Sequence, residues 1–335
     1  MIYIDPPYNT GNDFVYADDF ADPMARYKEV TQQTTKSNPE TMGRYHTNWL
    51  NMMYPRLRLA ANLLRDDGVI FISIDDVEID NLKKLCNEIF GEENFVAQFI
   101  WQSRQNKDNR NITGVSIDHE YVVCYTKQFG HRVFRGTDRK TEQYKNPDND
   151  PRGPWTSANM VGLATADARP NLHYDLINPA DGRNYGCPEK GWRYDRNTMN
   201  RLIQEGRIIW PDNPDGRPRK KSFLNELSDN LPGFSSVFST GVYTNTATKE
   251  IGGLFNKYLF DFPKPVEVIK QLVSQVSNTD DIILDFFSGS ATTAHAVMQL
   301  NAEDGGNRRF ILVQLPELCD EKSEAYKTGY KNICA

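Results

Sequence analysis

Residues 68–75, GVIFISID, limit what this chain can fold into more than any other stretch. The run is almost continuously apolar and rich in β-branched residues, the pattern of a strand buried on both faces. A strand of that kind needs covering layers on two sides, and helix patterns flank it. Residues 50–65, LNMMYPRLRLAANLLR, place Leu57, Ala60, Ala61 and Leu64 on one helical face. Residues 75–90, DDVEIDNLKKLCNEIF, offer Asp75 or Asp76 as N-cap, a stripe of Ile79, Leu82, Cys86, Ile89 and Phe90, and Gly91 as terminator. Alternation of strand and helix predicts a parallel sheet.

FVAQFIW (95–101) and HEYVVCYTK (119–127) read as two further strands, and QSRQNKDNRN between them as a mobile polar loop. From about 130 to 250 the character changes. Gly, Pro, Asn, Asp and Arg punctuate short patterns, and Trp155, Trp192 and Trp210 suggest a small core of their own rather than stacking platforms. The α/β pattern then returns. KPVEVIKQLVSQV is a helix with Pro265 suited to its first turn, and Val266, Ile269, Val273 and Val276 line one side. DIILDFFSGSATTAHAVMQL reads as strand, tight loop and helix, and RRFILVQLPE as another strand. One doubly wound, mostly parallel α/β sheet, interrupted by an irregular insertion, is the expected architecture.

No apolar run approaches the roughly 18 residues of a membrane span, and the N-terminus lacks the layout of a signal peptide. Cys86, Cys124, Cys187, Cys319 and Cys334 follow no metal-binding or disulfide spacing, so no metal is expected. A reduced, cytoplasmic protein is the expectation. The net charge is −6, yet residues 101–250 carry 22 Lys and Arg against 18 Asp and Glu, and the remainder 17 against 27. The insertion is the basic part of an acidic chain, which fits a solvated face as well as a nucleic-acid contact.

Two motifs carry chemistry. Asp5-Pro6-Pro7-Tyr8 follows the first strand directly. Each proline fixes φ and removes an amide donor, so the turn is stiff and offers acceptors. The Asp5 carboxylate and the Pro6 carbonyl suit an –NH2 group, and Tyr8 brings an aromatic face for a flat ring. Binding both N–H groups in acceptors outside the ring plane would free a nitrogen lone pair otherwise delocalised into a nucleobase. Such a base must be flipped from a duplex, at about a few kcal/mol. A rigid turn without function explains the same four residues. The second motif, LDFFSGSATT (284–293), sets Gly289 in a tight turn before a helix, where a backbone can approach a ligand. Asp285 ends the strand, and Thr292 and Thr293 can cap the helix and bind a carboxylate. It is not a P-loop and has one Gly where a dinucleotide fingerprint has three, so nucleotide binding and a structural turn both remain open. Glu317, past the next strand, stands where doubly wound folds place an acid on ribose hydroxyls, and a charge at a helix N-terminus explains it as well.

Together these motifs resemble the S-adenosylmethionine-dependent amino-group DNA methyltransferases, and their order resembles the circularly permuted beta class. IYIDPPYNTGND, IDHEYVVCYTK, FDFPKPVEVIKQLV, DFFSGSATTAHAVMQLN and RRFILVQLPE further resemble the Mod subunit of type III restriction-modification systems. The resemblance implies a Rossmann-like methyltransferase sheet with residues 1–127 and 251–335 flanking a target recognition domain at 128–250. It implies that Asp5, Pro6, Pro7 and Tyr8 hold the target base. Asp285, Phe287, Gly289, Thr292 and Thr293 would form the S-adenosylmethionine pocket, Lys264 would lie near the donor carboxylate, and Glu317 would take the ribose. Aspartate at the head of the tetrad resembles the adenine N-6 enzymes, whereas cytosine N-4 enzymes carry serine. Double-stranded DNA, a Mod homodimer and a Res subunit are the implied partners.

Within such a protein Arg104, Lys107 and Arg110, and the run Arg217, Arg219, Lys220 and Lys221, become candidate phosphate contacts. His119 reads as a packed strand residue rather than a base. Ala291 stands where the family pattern has a second Gly, and binding is expected to survive the extra methyl. Family members carry further segments on both sides, so the chain is expected to be truncated at both ends. The alternatives are cytosine N-4 methylation, methylation of a protein glutamine amide (whose enzymes carry NPPY), or a remnant that binds DNA without turnover.

Overall fold

The computed structural model describes residues 1–10, 46–108, 112–130, 132–213, 215–227 and 231–334. In chain order the elements are β1 (Ile2–Ile4), α1 (Thr47–Leu63), β2 (Val69–Ile74), α2 (Ile79–Phe90), β3 (Phe95–Gln102), β4 (His119–Thr126), β5 (Trp155–Ala158), α3 (Arg196–Gln204), β6 (Ile208–Ile209), β7 (Arg219–Phe223), β8 (Val237–Phe238), α4 (Thr244–Phe255), α5 (Val266–Val276), β9 (Ile282–Asp285), α6 (Thr292–Asp304), β10 (Arg309–Leu312) and α7 (Glu324–Thr328). They form two compact units, one of Met1–Gly136 with Gly233–Ala335, the other Thr137–Pro232.

The first unit holds a seven-stranded sheet in the order β10-β9-β1-β2-β4-β3-β8. All neighbouring pairs are parallel except those of β4, which runs antiparallel to β2 and β3. Period-two alternation divides each strand between two layers. Ile2, Ile4, Ile70, Ile72 and Ile74 pack with Trp49, Met53 and Leu57 of α1 and Leu82 and Cys86 of α2. Tyr3, Val69 and Phe71 pack on the other face with Ile269, Leu272 and Val273 of α5 and Ala296, Val297 and Leu300 of α6. Every residue of β2 is buried, as a strand covered on both sides requires. The doubly wound expectation is met.

Two local expectations change. Helix α2 begins after Glu78, which makes no side-chain cap; Asp75 instead accepts the amide of Val77 at 2.9 Å, closing a turn after β2. Gly91 does end the helix, with φ +93°. The polar loop after β3 is tied down in its described part: Ser103 donates its amide to the Asp118 carbonyl at 2.9 Å, and Asp108 donates its amide to Ser116 Oγ at 2.7 Å.

The second unit is built on a three-stranded antiparallel sheet, β5-β7-β6. Its core gathers Met160, Tyr174, Leu176, Trp192, Met199, Leu202 and Ile208, with Trp210 packed against it. Asp195 caps α3 by accepting the amides of Asn197 and Thr198. No helix among the described residues is long and apolar enough to cross a membrane.

Candidate active site

Strands β1 and β9 lie side by side in the sheet, between β2 and the edge strand β10, with Ile2 opposite Leu284. Both run in the same direction, so the tetrad that follows β1 and the glycine loop that follows β9 emerge at one edge. A cavity of about 740 Å³ opens there, lined by Asp5, Pro6, Pro7 and Tyr8 and by Asp285, Phe287, Gly289, Thr292 and Thr293. Crevices outside the carboxyl ends of parallel strands are where doubly wound sheets bind ligands.

The tetrad is held from two sides. Trp49 of α1 donates its indole N–H to the Pro7 carbonyl at 2.7 Å. That leaves the Pro6 carbonyl without a donor among the described residues. Asn9, with φ +59°, turns the chain away and donates to the buried Glu78 carboxylate at 2.6 Å. Glu78, fully buried, also accepts from Asn81 and contacts His46 Nδ1. The stiffness expected from two prolines is thus reinforced by α1 and by the residue before α2.

Asp5 Oδ1 accepts the Tyr8 hydroxyl at 2.9 Å and pairs with Lys264 Nζ at 3.0 Å. The same two groups reach Glu120: Tyr8 O–H lies 3.1 Å and Lys264 Nζ 3.2 Å from Glu120 Oε2. The ammonium also stands 4.7 Å from the centroid of the Tyr8 ring. Asp5 Oδ2 takes no protein donor among the described residues. Burial raises the Asp5 pKa, while Lys264 pulls it back. Burial opposes the charge on Lys264, yet Asp5 and Glu120 outweigh it and the ammonium titrates above the usual lysine range. Burial, then the Asp5 charge, push the Tyr8 phenol well above 10, so it stays protonated.

The glycine loop has a different logic. Asp285 is 2% exposed, accepting the Phe287 amide at 3.0 Å through Oδ1 and the Thr293 hydroxyl at 2.5 Å through Oδ2. Burial raises its pKa to about 7 despite these donors. Gly289 donates its amide to Gln314 Oε1 at 2.9 Å, fastening the loop to the chain after β10. Neither threonine caps α6, contrary to expectation: Thr293 serves Asp285, Thr292 contacts Ser290 Oγ at 2.9 Å, and the N-cap is Ala291 with no side-chain cap. Ala291 has φ +60°, a left-handed conformation that costs a residue with a Cβ about 1–2 kcal/mol. A glycine at this position would carry no such cost.

The remaining expected residues scatter. Lys264 sits against Asp5 and Glu120, on the tetrad side of the cavity. Glu317 is not among the cavity-lining residues; its Oε2 is buried without a hydrogen-bond partner among the described residues, and burial raises its pKa. Arg104 lines the cavity and pairs with Asp108 at 3.2 Å. Lys107 pairs with Asp118, and Arg110 lies outside the described residues. In the second unit Arg217 is exposed with no acceptor among the described residues. Arg219 donates to Ser157 Oγ at 2.6 Å, Lys220 reaches Tyr194 OH at 3.4 Å, and Lys221 is held by Asp148 and, at 3.0 Å, by Asp150. His119 packs edge-on against Tyr121 and contacts its hydroxyl at 2.8 Å.

Sequence reasoning missed Glu120, Trp49 and Glu78. Glu120 lies in the IDHEYVVCYTK segment, but no chemistry was read from it, and no local motif marks Trp49 or Glu78. Glu120 reaches the site because β4 is antiparallel, which brings its first residues to the edge where β1 and β2 end.

Residues 1–331 match the profile of a DNA methylase family. The chain is 35% identical, over 99% of its length, to the Type III restriction-modification enzyme StyLTI Mod subunit of Salmonella typhimurium, of which it covers 51%. It is 35% identical to the EcoPI Mod subunit of Escherichia phage P1, covering 99% of this chain and 56% of that one. It is 33% identical to the Type II methyltransferase M.KpnI of Klebsiella pneumoniae, covering 99% of this chain and 78% of that protein. The chain therefore spans about half the length of the Mod subunits it matches.

Proposed function

The chain belongs to the DNA methylase family matched by residues 1–331, and from that premise we propose that it methylates the exocyclic amine of adenine in a specific DNA sequence. S-adenosylmethionine is the donor in this reading, and the protein is the modification subunit of a type III restriction-modification system. The supporting observation is that Asp5 and Gly289, far apart in sequence, line one cavity.

The residues present fit the donor. The cavity volume of about 740 Å³ lies within the range of small-molecule sites. Helix α6 points an N-terminus without a side-chain cap toward it, a place suited to a carboxylate. When bound, S-adenosylmethionine supplies a sulfonium-activated methyl group.

The chain's own residues do the rest. Asp5 Oδ2 and the Pro6 carbonyl accept the two N–H groups of the target amine and draw its lone pair out of conjugation with the ring. Tyr8 and Lys264 hold Asp5 Oδ1, so the carboxylate cannot rotate away. The Tyr8 ring stacks on the base. Orientation of amine and methyl is worth on the order of 7–11 kcal/mol in well-aligned systems. Asp285 keeps the glycine loop closed through Phe287 and Thr293.

In the same reading the second unit, Thr137–Pro232, is the core of the target recognition domain, and Arg217 contacts a phosphate. Double-stranded DNA, a second Mod copy and a Res subunit are the partners, and the location is cytoplasmic. Tritiated-methyl transfer from S-adenosylmethionine to unmethylated DNA, followed by nucleoside analysis, tests the reading. Label on N6-methyladenine is expected; label on cytosine alone would remove the adenine assignment.

A further inference from the structure

Four polar atoms close a ring at the tetrad side of the cavity. Asp5 Oδ1, Tyr8 OH, Glu120 Oε2 and Lys264 Nζ follow one another at 2.9, 3.1, 3.2 and 3.0 Å. We infer that Glu120 is a positioning residue for methyl transfer, which shares Lys264 and Tyr8 with Asp5 and so leaves the ring one net negative charge beside the target amine. The inference rests on the methyltransferase reading above and assigns a role to a residue outside both sequence motifs.

The proton inventory carries the argument. A phenol has one O–H proton and an ammonium three. Lys264 can therefore serve both carboxylates at once, while Tyr8 can serve only one at a time. With Asp5 as sole acceptor, the Lys264 charge and the Tyr8 proton would both settle on Oδ1 and leave a neutral pair. A neutral pair is a poor partner for what the amine becomes. When its nitrogen bonds the methyl carbon, the carbon–sulfur bond breaks with its electron pair staying on sulfur. The nitrogen then carries a positive charge until one N–H proton passes to Asp5 Oδ2 and from there to water. Two carboxylates against one ammonium leave one negative charge in the ring to meet that cation. Glu120 competes for Lys264 and Tyr8 through a single atom, Oε2, as Asp5 does through Oδ1, so the two acids hold equivalent places. Glu120 also lines the cavity, on the same side as the tetrad.

Charged and titratable groups face Asp5 from each element around it: Tyr3 of β1, Tyr8 of the turn, Glu120 of β4, Lys264 before α5 and Asp285 of β9. Of these, Glu120 raises and Lys264 lowers the Asp5 titration. The test is a ¹³C-carboxyl NMR titration of the full chain labelled at aspartate, with Asp5→Asn assigning the resonance. Glu120→Gln keeps an acceptor oxygen and removes the charge, and should move the Asp5 midpoint down by about one pH unit. Lys264→Met should move it up by about one to three units. In single-turnover methyl transfer Glu120→Gln should be slower by about tenfold, with the acid limb of its pH profile displaced downward. Donor affinity by calorimetry should stay within about threefold of wild type.

An Asp5 midpoint unmoved by Glu120→Gln, in a chain whose wild type transfers methyl groups, would overturn the inference and leave the activity standing. Opposite-signed midpoint shifts in a chain that transfers no methyl group would support the ring and sink the methyltransferase reading instead. A Glu120→Gln chain that is slow but keeps the wild-type acid limb would mark the residue as structural, against the inference.

Discussion

Leu284 of β9 donates its amide to the Met1 carbonyl at 3.0 Å, and this bond joins the two ends of the active site. With Ile2 opposite Leu284, the strands leave the sheet in register, and Asp5 and Asp285 each stand just at its edge. One cavity follows from that pairing.

The first prediction concerns Asp5. Asp5→Ala removes the carboxylate that accepts the target amine, and should lower single-turnover methyl transfer by at least about a thousandfold. Calorimetry should find S-adenosylmethionine affinity changed by no more than a few fold, because the glycine loop is held by its own contacts. Full rate in the variant would show that the carboxylate has another role.

Trp49 should couple stability to turnover. Trp49→Phe keeps most of the packing of a fully buried ring but removes the donor to the Pro7 carbonyl. A buried carbonyl left unpaired costs about 1–3 kcal/mol. Chemical denaturation should register that loss. The methyl-transfer rate should fall with donor affinity unchanged, since the freed turn positions Asp5 and Pro6 less well.

Ala291→Gly should raise thermal stability. The present φ of +60° strains an alanine, whereas glycine adopts it freely at some cost in unfolded-state entropy. The balance is about 0.5–1 kcal/mol in favour of glycine. Differential scanning fluorimetry should show a rise of about one to two degrees for a chain of this size. Ala291→Val should move it the other way.

Stability should depend on pH through Asp285. Its pKa rises from 3.8 to about 7 on folding, so the folded state holds a proton that the unfolded state has lost between those values. The associated stabilisation is complete below pH 3.8 and is lost as pH rises through about 7. Melting curves at half-unit steps should therefore show Asp285→Asn gaining on wild type from pH 5 to pH 8. A constant offset over that range would contradict the raised pKa.

Two basic residues of the second unit should behave differently in DNA binding. Arg217 is exposed without an acceptor among the described residues. If it neutralises one phosphate, Arg217→Ala should reduce the slope of log K against log salt by about 0.9. Lys221 is committed to Asp148 and Asp150. Lys221→Ala should leave the slope unchanged and lower the melting temperature, because Asp150 is nearly buried beside it.

Where local chemistry decides, the amino-acid sequence was enough. A run such as VIFISI has no stable place except inside a covered sheet, and its alternation with helices dictated the doubly wound class. Pro6 and Pro7 fixed a stiff turn, and Gly289 a tight loop, because backbone dihedral limits act within a few residues. Caps were less legible. Asp75 closes a turn and the threonines after Ala291 serve neighbours, since a short polar side chain chooses among several nearby backbone partners. What the tertiary structure alone decided is which groups meet across the sheet. Glu120 faces Tyr8 only because β4 runs antiparallel, Trp49 reaches Pro7 only because α1 packs against β1, and Lys264 finds two carboxylates rather than one. Those meetings depend on strand order and direction, which set distances between residues that no local pattern relates.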